Sequence, residues 1–122
     1  MIELRFQLRV DADTRIGPGK IALLEAVARV GSISAAGREL EMTYRRAWEL
    51  IDHMNKAFGQ PLVVGQTGSA GGASLTELGG DVVRRYRLIE QLAREVAAPH
   101  LTVLDAAVMA AAPAMGSDQD LD

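Results

Sequence analysis

The 122-residue chain has no cysteine, which excludes disulfides, thiolate-bound zinc and cysteine nucleophiles together. His53 and His100 are the two imidazoles, and aromatic residues amount to only 4%. Acid–base chemistry therefore has little to work with. Asp52 and His53 are neighbours on a predicted helix and point about 100° apart, which disfavours a catalytic pair. The glycine-rich stretch 65–72 lacks the lysine and the ordered spacing of a phosphate loop. No enzyme activity, metal or cofactor is expected. No stretch approaches the roughly 18 apolar residues of a membrane span, and Met1-Ile2-Glu3-Leu4-Arg5 places charges where a signal peptide needs an apolar core. A cytoplasmic location with no membrane partner is the expectation.

Basic charge is also scarce in one place. Residues 99–122 contain four acids (Asp105, Asp118, Asp120 and Asp122) and no Lys or Arg. The overall charge of −3 thus hides a near-neutral body, because all 13 bases and the remaining 12 of 16 acids lie in residues 1–98. An acidic average normally speaks against a nucleic-acid partner, but here the tail produces it. With 48% apolar and 24% charged residues the chain has the composition of a globular domain. Residues 1–98 are expected to form one domain and 99–122 an acidic, partly disordered tail.

Residues 2–10 alternate strictly, Ile2, Leu4, Phe6, Leu8 and Val10 against Glu3, Arg5, Gln7 and Arg9, the period of a half-buried strand. A turn cluster follows from Asp11 to Gly19. Two apolar stripes, Ile21/Leu24/Ala28 and Leu23/Val27/Val30, predict a helix over 19–30 that buries more than one side. Gly31 suits a left-handed C-cap, and Ser32 or Ser34 can cap a short second helix over 34–40. After a break at Glu41-Met42, Thr43 can cap a third helix to Phe58, whose buried stripe is Ala47, Ile51, Met54 and Phe58. Trp48 sits beside that stripe, where core packing is the favoured role and DNA contact the minor one. Gly59-Gln60-Pro61 stops the helix. Two short strands, 62–64 and 73–75, enclose a flexible tip. Thr76 caps a long helix over 77–97, with a seam of Val82, Tyr86, Ile89, Ala93 and Val96 suited to a partner helix. Pro99 is expected to end it, with a weak helix over 101–112 beyond.

This order predicts a mainly α fold with small β: a winged helix-turn-helix with an N-terminal strand and a long C-terminal dimerisation helix. In such a fold the third helix enters the major groove, about 12 Å wide, and its first turns reach the base edges. Candidate DNA contacts are Ser32, Ser34, Thr43, Tyr44, Arg45 and Arg46, with Gly68, Gly71 and Gly72 of the wing approaching phosphate through backbone N–H groups. Arg84, Arg85, Arg87 and Arg94 are read as solvated charges around the long helix. A homodimer would place two recognition helices about one DNA turn, roughly 34 Å, apart. The competing interpretation is a winged protein-interaction module that has lost DNA, supported by the neutral body and by a wing without Lys or Arg.

Gly31-Ser32-Ile33-Ser34-Ala35-Ala36 resembles the opening of the helix-turn-helix in LysR-type and in ModE-type molybdate-responsive regulators. Gly17-Pro18-Gly19-Lys20-Ile21 before Leu24-Glu25-Ala26, Tyr44-Arg45 before Ala47-Trp48, Met54-Asn55, and Leu75-Thr76 with Gly79 favour the second group. The resemblance covers about residues 2–97 and implies a homodimeric, sequence-specific regulator of molybdenum-related genes that binds double-stranded DNA. Full-length members carry C-terminal molybdate- or tungstate-binding domains. Residues 98–122 offer no such site, so the expectation is a chain lacking its own molybdate-binding domain, with room for a separate molybdate-sensing protein as partner.

Overall fold

The computed structural model describes residues 1–65 and 72–115, without the side chains of 112–115. Its elements are β1 (Leu8–Arg9), β2 (Arg15–Ile16), α1 (Pro18–Val30), α2 (Ile33–Glu39), α3 (Tyr44–Phe58), β3 (Val63–Gly65), β4 (Ala73–Leu75) and α4 (Glu77–Met115). The chain divides into two compact units, Phe6–Leu88 and Met1–Arg5 with the residues from Ile89 onward.

In the unit Phe6–Leu88 the helix boundaries follow local chemistry. Pro18 stands in the first turn of α1, where its missing N–H costs no bond. Gly31 closes that helix at φ +73, its N–H donating to the Val27 carbonyl. Ser32 Oγ accepts from the Ala35 N–H at 3.0 Å and opens α2. Thr43 Oγ1 accepts from the Arg46 N–H at 3.0 Å and opens α3. Between these two helices Glu41 takes the left-handed conformation at φ +60, a strained state for a non-glycine residue. Gly37 permits the tight crossing, since a Cβ there would lie 3.2 Å from the Met42 carbonyl and 3.3 Å from Ala47 Cβ.

Both predicted stripes of α1 enter the core of this unit, through Ile21, Leu24, Leu23 and Val27, whereas Ala28 and Val30 stay exposed. Ala36, Ala47, Ile51, Met54, Leu62, Val63 and Ala73 complete the core. The wing strands pair antiparallel with Val63 opposite Leu75 and Gly65 opposite Ala73. Gly72 belongs to the described residues, whereas Gly68 and Gly71 lie outside them.

Four expectations change. The alternation of residues 2–10 is present as alternating half-buried and exposed side chains, but only Leu8–Arg9 joins a ladder. Its partner is Arg15–Ile16, within the stretch expected to be all turn. Side-chain period reports a buried face, not a hydrogen-bonded neighbour. Tyr86 does not serve a dimer seam. It is wholly buried, stacks on Phe6 with ring centroids 4.9 Å apart, and donates its hydroxyl to the Phe6 carbonyl at 3.1 Å. Val82 likewise packs against this core.

The third change is that Pro99 does not end α4, which continues as a single helix to Met115 and absorbs the weak helix expected at 101–112. Proline removes the N–H that would bond to the Glu95 carbonyl. Glu95 and Pro99 are both exposed, so water can satisfy that carbonyl, and the Ala- and Leu-rich sequence beyond favours helix. An expected boundary after Ala98 therefore has no break in the helix to mark it. The last is Trp48, which is 48% exposed rather than packed at the edge of the core.

In the other unit, Ile2 N–H donates to Asp105 Oδ1 at 2.5 Å, so the N-terminal segment is held by α4. Arg94 pairs with Glu90 at 3.3 Å. Ile89, Leu92, Ala93, Val96, Ala97 and Leu101 line an apolar groove of about 560 Å³ on this stretch of α4.

Two glycines of α4 give opposite expectations. A Cβ on Gly79 would lie 2.1 Å from the Leu62 carbonyl oxygen, whereas one on Gly80 meets nothing within 4 Å. Gly79→Ala should lower unfolding stability by about 1–3 kcal/mol or more, and Gly80→Ala should raise it by roughly 0.5–1 kcal/mol, both read by urea denaturation. A second expectation concerns pH. Arg87 grips Glu25 through two bonds, Nε to Oε2 at 2.9 Å and Nη2 to Oε1 at 2.7 Å, and this holds the Glu25 carboxyl below the 4.5 of an unperturbed glutamate. The stabilisation is therefore complete above that value and is lost as pH falls through the lower folded-state value. Glu25→Gln should flatten the acid limb of the stability profile; an unchanged limb would show that the pair contributes nothing.

Candidate nucleic-acid interface

The first turns of α3 carry the predicted reading residues to solvent. Tyr44 is 57% exposed, and Thr43, Arg45 and Arg46 are exposed beside it. The reason is the helical wheel: Ala47, Ile51 and Met54 turn inward, leaving these positions on the outer side. Among the described residues Arg45 is held only by Glu49, Nε to Oε2 at 3.2 Å, with 88% of its side chain exposed. An exposed i,i+4 pair contributes only about 0.3–0.5 kcal/mol, so Arg45 is free to exchange it for a phosphate or a base edge. Arg46 has no carboxylate within ion-pair distance among the described residues.

Thr43 and Ser32 are occupied as caps, each accepting one backbone N–H. Their hydroxyl protons remain able to donate. Ser34, the other capping candidate, instead accepts from Arg38 Nη1 at 3.0 Å. Ser34 also lines a groove of about 300 Å³ with Ile33, Tyr44, Trp48, Gly72 and Ala73. This groove joins the start of α2, the exposed side of α3 and the base of the wing. The Trp48 ring is half-exposed on the groove wall, where the DNA contact that was its minor expectation is open to it.

The wing is fixed to α3 by a residue whose function sequence reasoning missed. Asn55 Oδ1 accepts from the Leu62 N–H at 2.7 Å, satisfying the first peptide of the wing. Thr76 completes the anchor: its N–H donates to the Leu62 carbonyl at 2.9 Å, its hydroxyl donates to the Pro61 carbonyl at 2.8 Å, and its Oγ1 accepts from the Gly79 N–H at 3.0 Å. A half-buried Asn three residues before the end of a helix was the available signal.

Charge is divided along α3. Beyond its basic first turn, Glu49, Asp52, His53 and Lys56 line a second groove with Asp11, Asp13 and Thr14 from the β1–β2 turn. Asp52 is paired with Lys56 at 2.8 Å. Among the described residues no group of three or more His, Cys, Asp or Glu could hold a metal ion, and no helix is long and apolar enough to cross a membrane.

Residues 19–80 match the bacterial regulatory helix-turn-helix proteins of the lysR family. Over 96 residues the chain is 40% identical to the molybdenum transport protein ModE of Azotobacter vinelandii, covering 74% of this chain and 36% of that protein. It is 34% identical over 94 residues to the DNA-binding transcriptional dual regulator ModE of Escherichia coli K12, covering 75% and 34% respectively. The matched part thus spans about a third of the length of these curated relatives. Among solved structures, the CbnR_DBD–DNA complex superposes with a TM-score of 0.55 at 21% identity, over 70% of this chain and 94% of that one. ArgP from Mycobacterium tuberculosis gives 0.53 at 25% identity, over 75% and 31%. These superpositions show that the chain shares the fold of the two solved structures.

Removing the cap should loosen the outer turn before anything else. Thr43→Ala is expected to lower stability by about 1 kcal/mol, with Thr43→Ser close to the parent. Hydrogen exchange at the Arg46 amide should quicken in the alanine variant alone.

Proposed function

Because the chain belongs to the lysR family of bacterial regulatory helix-turn-helix proteins, we propose that it regulates transcription as a homodimer that reads duplex DNA with the first turns of α3. The observation that carries this reading is the exposed front of Tyr44, Arg45, Arg46 and Trp48 just after the Thr43 cap. Arginine can bind guanine bidentately or hold phosphate, and the Tyr44 hydroxyl suits a phosphate or base edge. Ser32, Ser34 and Thr43 border this front. Gly72 stands at the base of the wing, and Gly68 and Gly71 keep their proposed backbone contacts with phosphate.

Dimerisation uses the part of the expected seam that the domain core leaves open. Ile89, Ala93 and Val96 remain on α4, Val96 with 75% exposure, and Leu92 joins them. Their burial against a second copy removes apolar area from water and doubles the DNA contacts of a body with little net charge. The curated relatives named for molybdenum and for transcriptional regulation support a place in molybdenum-related gene control. A separate molybdate-sensing protein as the source of that signal is part of the proposal. Chromosomal DNA as target places the protein in the cytoplasm and makes it a binder, not an enzyme.

Fluorescence anisotropy with molybdenum-promoter and mixed-sequence duplexes tests this. Arg45→Ala and Arg46→Ala should each cost about 1–3 kcal/mol of DNA binding with the dimer intact. Ile89→Asp should dissociate the dimer in sedimentation and weaken DNA binding with it. Failure of the parent protein to bind any duplex at low salt would overturn the DNA reading, and a stable Ile89→Asp dimer would move the interface elsewhere.

A further inference from the structure

Most cations of this chain have a partner carboxylate. Arg5 pairs with Glu3, Arg29 with Glu39, Arg45 with Glu49, Lys56 with Asp52, Arg84 and Arg85 with Asp81, Arg87 with Glu25, and Arg94 with Glu90. Among the described residues Arg9, Arg15, Lys20, Arg38 and Arg46 have none within ion-pair distance; Arg38 donates instead to Ser34 Oγ, and two contacts bring Arg9, Arg15 and Lys20 together. Arg9 and Arg15 are register partners across β1 and β2, so their side chains leave the same side of the ladder, opposite to Leu8 and the buried Ile16. Lys20 Nζ donates to the Arg15 carbonyl at 2.6 Å. Burial, and then the charges of Arg46 and Arg15, hold the Lys20 ammonium below its ordinary pKa, which brings Arg46 of α3 into the same field.

Such a row is unfavourable in the free protein. Like charges directly opposite across an antiparallel pair destabilise it; the first turn of α1 has no acid, and Asp11 and Asp13 of the β1–β2 turn, which line the groove with Glu49 and Asp52, form no ion pair with Arg9 or Arg15 among the described residues. The repulsion is removed only by an anion extended enough to meet several cations together. The row ends at Arg46, on the first turn of the helix proposed to enter the major groove, which selects a polyanion continuous with that groove.

We propose that Arg9, Arg15 and Lys20 form, with Arg46, a phosphate-binding ridge that follows the DNA backbone outward from the recognition helix, so that the N-terminal β1–β2 hairpin is part of the DNA-binding surface. The ridge rests on the DNA reading above and extends its footprint by a second element. It supplies affinity without sequence information, because phosphates are the same beside every base pair. It also explains how a body of near-neutral net charge and a wing whose sequence contains no Lys or Arg engage a polyanion: the cations are concentrated, not numerous. The acidic groove beside it limits the track to one side of α3.

The test is the salt dependence of binding. Arg9→Gln with Arg15→Gln removes two exposed charges and no core contact, and Arg84→Gln with Arg85→Gln removes the same charge away from the ridge. Log affinity should be measured against log salt on promoter and mixed-sequence duplexes, with thermal melts confirming the fold. The ridge pair should reduce the slope by about 2 per bound protomer and lower affinity at 0.1 M salt by roughly tenfold per contact, equally on both duplexes. The Arg84/Arg85 pair should leave the slope near that of the parent. An unchanged slope in the ridge pair, or an equal fall in both pairs, overturns the ridge while parent binding leaves the DNA reading standing. Absence of parent binding at low salt overturns both.

Discussion

The two backbone polar groups of one residue, Leu62, determine where the parts of the unit Phe6–Leu88 sit. Its N–H is taken by Asn55 of α3 and its carbonyl by Thr76 at the start of α4. The Cα of Gly79 lies against the same carbonyl, where a Cβ would be 2.1 Å from the oxygen. A buried residue must place both its backbone polar groups, and Leu62 does so by joining α3, the wing and α4. Ala73 N–H adds a bond to the Gly31 carbonyl at 2.9 Å, which fixes the second wing strand to the end of α1. The groove between Trp48 and the wing base is a consequence of these ties, since neither wall can shift without breaking one of them.

The same unit separates its charges by element. Glu49 and Asp52 are taken up in local i,i+4 pairs, and Glu25 and Glu39 in the links to Arg87 and Arg29. Arg9, Arg15, Lys20, Arg38 and Arg46 are the cations of this unit without a carboxylate partner among the described residues. Net charge therefore conceals the electrostatic character of the surface. An acidic sum and a basic ridge coexist because pairing, not counting, decides which charges a ligand meets.

α4 shows how one apolar seam can serve two purposes. Read as a wheel, Val82, Tyr86, Ile89, Ala93 and Val96 form one stripe. In space the stripe changes role near the boundary between the two units. Val82 and Tyr86 enclose themselves with Phe6 and the core, while Ile89, Leu92 and Val96 keep an open face. Periodicity identifies a face that avoids water; it does not identify what covers it.

The sequence by itself determined the caps, the breaks and the inward faces. Ser32, Thr43, Gly31, Gly59 and Thr76 act locally, on backbone groups within three or four residues, so their residue type suffices. The stripe Ala47, Ile51 and Met54 was legible for the same reason, because a helix fixes which residues share a side. Tertiary structure alone decided the partner of β1, the enclosure of Tyr86, the exposure of Trp48 and the passage of α4 through Pro99. It alone brought Arg9, Arg15 and Lys20 together. Each of these depends on groups far apart in the chain, or on whether water reaches a carbonyl, and neither is written in the spacing of residues along a single element.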